Sequence, residues 1–138
     1  IIHRSKLLKY FIDEDYNVNN LDKDLESIYK KIRKNKEYFF SIKDIILLEA
    51  LKSDGHKIPQ KLEKLYSIEG LTIPTNLIAL TVERKTGLVL LKIVEIIGED
   101  KLIDLDPETL YFIATTFNKL GLKKMRNNII INTLPERI

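Results

Sequence analysis

Three short patterns in this chain are of the kind that could carry acyl-transfer chemistry. Ser27-Ile-Tyr-Lys30, Ser53-Asp54-Gly55 and Lys85-Thr86-Gly87 occur in the order in which one class of serine hydrolase arranges a nucleophilic Ser, its Lys proton acceptor and a strand-borne triplet beside the substrate. The separations are too short for that arrangement, and Lys85-Thr86-Gly87 reads as a helix end, so no catalytic residue is assigned. A second pattern suggests oxygen ligation of calcium. Asp13, Asp15 and Asn17 stand at positions 1, 3 and 5 of a twelve-residue stretch between two helical segments. Position 6 is Val18, where the sharp turn of a calcium loop wants Gly, and position 12 is Asp24 in place of the longer bidentate Glu. Asp13, Asp15 and Asn17 are therefore a weak candidate calcium loop beside the plainer reading of a solvated acidic loop, and no metal or cofactor is assigned.

Basic residues offer a third chemistry, the binding of phosphates. Lys30, Lys31, Arg33, Lys34 and Lys36 cluster near Tyr29, Tyr38 and Phe39, and Lys123-Lys124-Met-Arg126 forms a second basic segment. Both could face a nucleic acid, but few of the cations are Arg and there is no continuous stripe. The net charge is only +3 over 138 residues. Many Lys, Ile and Asn point to an AT-rich genome more than to a polyanionic partner. Zero Cys excludes disulfides, thiolate zinc sites, iron–sulfur clusters and cysteine nucleophiles together. His3 and His56 stand in no metal-ligand spacing, and no phosphate-cradling glycine loop is present. On the apolar run Leu88–Ile97 the only charges are Lys92 and Glu95, best read as a paired or snorkelling couple. That run is about half the roughly 20 residues a spanning helix needs, so it predicts a buried helix and no membrane-spanning segment.

These residues must be held by helices. Leu7, Leu8, Phe11 and Ile12 share one helical face and predict a first helix over about 2–13. Leu21, Leu25, Ile28, Tyr29 and Ile32 predict a second to about Lys36. Its acids come early and its bases late, as the helix dipole favours. Ser41 caps a third helix over 42–53, ended by Gly55. Pro59 opens a short fourth with Leu62, Leu65 and Tyr66 inward. Pro74 opens a fifth to about Thr86, with Gly87 behind it. Leu88–Ile97 is the sixth, closed by Gly98. Asp106-Pro107 starts the seventh, with Leu110, Ile113, Ala114 and Phe117 on one face and Gly121 at its end. Residues 122–134 form the eighth. No alternating strand pattern competes, although Ile129–Ile131 is β-branched.

Ser41, Pro74 and Pro107 are spaced by 33 and 33, and each is followed by a Gly 13 or 14 residues on. A period of 33–34 is that of helix-pair repeats. The expected fold is all-α: about eight short helices in antiparallel pairs, as a right-handed α-solenoid (TPR-like) or an irregular helical bundle. Residues 1–138 form a single helical domain, with a hairpin over 1–40 and three pairs over 41–138. The start at Ile1, without an initiator Met, predicts the C-terminal part of a longer chain. Helix-pair stacks present groove surfaces, so the expected function is a non-enzymatic protein–protein interaction or scaffold module, with a nucleic-acid-associated module as the alternative. If pairs stack, Tyr111, Thr115 and Asn118, with Glu83, Arg84 and Lys85 of the preceding pair, line the partner-facing side. For Tyr111 the competing reading is packing between pairs.

From about Ile45 onward a resemblance adds to this. Leu48-Glu49-Ala50-Leu51 followed by Asp54-Gly55, then Gly87-Leu88, Gly98-Glu99-Asp100, and Leu105-Asp106-Pro107-Glu108-Thr109-Leu110-Tyr111-Phe112-Ile113 resemble the C-terminal part of alphaproteobacterial helical-repeat proteins of unknown function. The resemblance spans residues 45–138 and implies a repeat-like helical fold. It carries no activity and no functional residues, and leaves an envelope and a cytoplasmic location both open.

Overall fold

The structure is a computed structural model, and it describes residues 7–13, 15–35, 37–71 and 73–133. Among these residues there are eight α-helices and no strand: α1 (Leu8–Ile12), α2 (Leu21–Lys34), α3 (Ile42–Ser53), α4 (Gln60–Glu63), α5 (Thr75–Val82), α6 (Thr86–Ile97), α7 (Pro107–Leu120) and α8 (Lys123–Thr133). The expected all-α class is what forms. The predicted start of the first helix, His3, Lys36 and position 134 lie outside the described residues.

Local chemistry sets the boundaries. Ser41 Oγ accepts from the Asp44 amide and Asp44 Oδ2 accepts from the Ser41 amide, both at 3.2 Å, so α3 opens on a reciprocal cap. Tyr38 adds a hydroxyl donor to Asp44 at 2.6 Å, which lets a carboxylate sit 1% exposed. Asp106 accepts from the Thr109 amide at 3.0 Å, with Pro107 at the first helical position of α7. At the other end, Gly121 takes a left-handed φ of 71°, and the Leu122 amide donates back to the Phe117 carbonyl at 3.0 Å. This closes α7 on the hydrogen-bond pattern that left-handed residues permit.

The middle of the chain departs from the expected register. α5 stops at Val82, four residues early, and α6 begins at Thr86. Between them Arg84 adopts φ 55°. The Lys85 amide reaches the Leu80 carbonyl and the Arg84 amide reaches that of Thr81, both at 3.0 Å. Arg84 thus does what Gly55 and Gly121 do after α3 and α7, while Gly87 lies inside the first turn of α6. Lys85-Thr86-Gly87 therefore starts a helix and does not end one. The expected run of three equivalent Gly stops fails at its centre.

Packing follows two joined cores. Leu21, Leu25, Ile28 and Ile32 of α2 form one buried stripe, which meets Ile45–Leu48, Ala50 and Leu51 of α3, Leu62 of α4, Leu110, Tyr111 and Ala114 of α7, and Ile130 of α8. The second core joins Leu77 of α5, Val89 and Ile93 of α6, and Ile113 and Phe117 of α7. Leu105 and Ile129 pack against both. Helix α7 is the shared wall. The most extensive helix–helix contact is α3 against α7. In a linear stack of pairs each pair touches only its neighbours, yet these helices open the first and third of the expected pairs.

Two expectations about burial are corrected by this arrangement. The apolar α6 is not a buried helix: Val89 and Ile93 are inward, but Leu88, Leu91 and Val94 are 49%, 62% and 63% exposed. The α5–α6 hairpin rests on one side of α7, and no described residue covers its other side. Leu65 is exposed where it was expected inward. The four-residue α4 ends before reaching it.

Candidate functional site

The densest group of polar side chains surrounds Arg126. Its neighbours on α8 explain why it turns inward: Arg126, Ile130 and Thr133 follow at four and three residues and are all buried. Arg126 is 1% exposed. Nη1 donates to Asp54 Oδ1 at 2.7 Å and Nη2 to Asp54 Oδ2 at 2.8 Å, a two-pronged pair of the strong kind. Nη1 also reaches Asn118 Oδ1 at 3.1 Å, and Nη2 reaches Asn127 Oδ1 at 2.7 Å. Asp54 comes from the end of α3, Asn118 from α7. Tyr10 of α1 donates its hydroxyl to Asp54 Oδ2 at 2.9 Å. His56 Nε2 lies 3.0 Å from the Tyr10 oxygen, and Lys123 Nζ lies 3.6 Å from Asp54.

Burial works to raise the Asp54 carboxyl, but hydrogen bonds from Arg126 and Tyr10, with the charges of Arg126 and Lys123, hold it below the usual carboxylate range. Burial first, then the Asp54 contact, pushes the Tyr10 phenol up to about 12. Asp54 is thus fixed as an anion and Tyr10 as a neutral phenol, whereas a general acid or base works best near the operating pH. The group is a clamp that fastens α1, α3, α7 and α8 together. Beside it, Tyr10, Tyr16, Lys123, Asn127 and Ile131 help line an open groove of about 730 Å³ between α1 and α8.

The residues expected to act from sequence are placed as follows. Tyr111 is 5% exposed and belongs to the main core, so it is not offered to a partner; packing between helices is what it does. Thr115 and Asn118 are half-buried, and Asn118 is engaged with Arg126. Helix α7 packs against α3, α5 and α8, and Thr115 lies with Glu108, Phe112 and Lys119 on its half-buried to exposed side. Glu83, Arg84 and Lys85 form the exposed α5–α6 turn, with Glu83 and Lys85 paired at 3.0 Å. Lys30, Lys31, Arg33 and Lys34 are exposed at the end of α2, but burial withdraws Arg126 from the second basic segment. Asp13 Oδ1 accepts from the Asp15 amide at 2.9 Å and Asn17 Oδ1 from the Asn19 amide at 3.0 Å. These oxygens serve the turn itself. Among the described residues no group of three His, Asp or Glu converges as a metal site would require. The depression beside Ser27 is lined by α2 residues alone, so the three hydrolase-like patterns do not share a cavity.

What sequence reasoning missed is Arg126 with Asp54. The signal available was the position of Arg126 in an otherwise inward row on α8. The other unforeseen feature is a surface: Val82 of α5, 75% exposed, with Leu88, Leu91 and Val94 of α6. Lys92 and Glu95 flank it, paired at 3.4 Å as expected. Among the described residues no helix is long and apolar enough to cross a membrane. Comparison with protein-family models, with curated proteins and with solved structures returns no match.

Proposed function

We propose that this chain is a non-enzymatic protein–protein interaction module that docks through the α5–α6 hairpin. The observation that carries the reading is the exposed row Val82, Leu88, Leu91 and Val94. Large apolar side chains exposed together on one helical hairpin are a feature of interaction sites. A substrate site would instead gather a few convergent polar groups in an enclosed pocket. Here the most polar cluster is held in a clamp, and the groove beside it is open. The test is a photo-crosslinking residue placed at Leu91, with the same residue at exposed Lys64 as control. Polypeptide adducts from position 91 and not from 64 are expected; no adducts at 91 would end the reading.

A second reading, contact with a nucleic acid, keeps the exposed Lys23, Lys30, Lys31 and Lys34, which line one face of α2. It requires binding that falls steeply as salt rises. Absence of DNA or RNA binding at low salt removes it.

A further inference from the structure

The chain leaves α2 through a turn that the Tyr38 amide closes on the Asn35 carbonyl at 3.1 Å. The side chains that follow are anchored on alternate residues. The Tyr38 hydroxyl donates to the buried Asp44. The Phe40 ring packs against Tyr38 and Tyr66 at centroid distances of 5.4 and 5.5 Å. Phe39 stands between these two anchored neighbours and is turned outward. It is 80% exposed, more than any other large apolar side chain among the described residues. The anchoring explains its direction, but not why an aromatic ring stands there.

The same turn sets Phe39 beside a cationic surface. A turn of this kind brings its ends within about 7 Å, so Phe39 lies close to the last turn of α2, which carries Lys31, Arg33 and Lys34. Lys23, Lys30, Lys31 and Lys34 line an open depression on that helix, on the side away from the buried Leu21, Leu25, Ile28 and Ile32. From Lys23 to Lys34 this face runs about 16 Å. Of the acids on α2, Asp24 accepts from Tyr16 at 2.6 Å, Glu26 at the rim of the depression holds Lys61 at 2.8 Å, and Asp22 lies in the first turn. Lys31, Arg33 and Lys34 enter no ion pair among the described residues. Over residues 27–43 six cations stand against one acid, Glu37. The helix dipole accounts for bases in the last turn. It does not account for Lys23 and Lys30, nor for Phe39.

Resting on the nucleic-acid reading above, we propose that this face of α2 and Phe39 together bind a single-stranded nucleic acid. The lysines take phosphates along the strand, and the Phe39 ring stacks on one base. The exposed ring selects the class of strand. In a duplex each base face is covered by its neighbours, whereas a single strand leaves base faces free. An anionic membrane would use the same lysines, but one Phe supplies little apolar surface for insertion.

The test is fluorescence anisotropy of the whole chain with labelled twelve-nucleotide oligothymidine and oligouridine strands, and with a twelve-base-pair duplex. The strands should bind at low salt, and the duplex more weakly. With three or four phosphates engaged, strand affinity should fall about 20- to 50-fold between 50 and 200 mM salt. F39A should weaken strand binding about 5- to 100-fold with the salt slope unchanged, and F39W should restore it. K30A/K34A should flatten the slope instead. All three positions are exposed, so the helical circular dichroism should not change. A duplex bound as tightly as the strands, or F39A binding as well as the parent chain, would overturn the inference and leave the nucleic-acid reading standing. No binding of strand or duplex at low salt ends both. Phe39-dependent sedimentation with phosphatidylserine vesicles would then assign the face to a membrane surface.

Discussion

A guanidinium that water cannot reach must find its partners within the protein, and Arg126 finds Asp54, Asn118 and Asn127. Removing one member of a buried ion pair leaves the other charge uncompensated, a cost of about 3–5 kcal/mol. R126A is expected to lose that much in chemical denaturation, a large share of the roughly 5–15 kcal/mol that holds a domain folded. The double variant D54L/R126M should lose much less than the two single changes added together. The pair also sets a pH dependence. Asp54 is held below its ordinary range when folded, so the unfolded chain takes up a proton first as pH falls. Its contribution is complete above the ordinary carboxylate range and is lost as pH drops through the lower, folded value. D54N is expected to be less stable at neutral pH and to show a flatter acid limb than the parent chain. None of this was readable from Lys123-Lys124-Met-Arg126 alone. The charge of Arg126 is local information, but its burial depends on Asp54, 72 residues away.

Helix boundaries were legible wherever a side chain or a ring decides them. Ser41, Asp106-Pro107, Gly55 and Gly121 each act locally, through a cap, a fixed φ or a permitted left-handed turn. The α5–α6 turn was misread because its left-handed residue is Arg84, which has no sequence mark for that role. A non-Gly residue in the left-handed region is strained by about 1–2 kcal/mol, partly offset when Gly replaces it because the unfolded chain gains freedom. R84G is therefore expected to stabilise the protein by about 0.5–1 kcal/mol, a rise of a few degrees in Tm by calorimetry. G121A should do the reverse by about 1 kcal/mol, through φ alone, since an added Cβ at Gly121 would meet nothing within 4 Å. An unchanged Tm in R84G would mean that the Arg84 side chain stabilises the turn in a way its backbone conceals.

At the scale of the molecule, the contacts of α7 decide which parts open together. Leu110 and Ile113 lie three residues apart on α7 yet face different cores, one shared with α3, the other with α5 and α6. The 33-residue spacing could not reveal this, because a period says which helices are alike and not which ones touch. Truncating either residue to Ala should cost about 2–5 kcal/mol. The two should differ in where the loss is felt. Native-state hydrogen exchange is expected to show α3 and α7 opening only with the whole protein. The amides of α6 should exchange through smaller openings, because few side chains anchor that helix. I113A should lower protection in α5 and α6 more than in α3, and L110A the reverse.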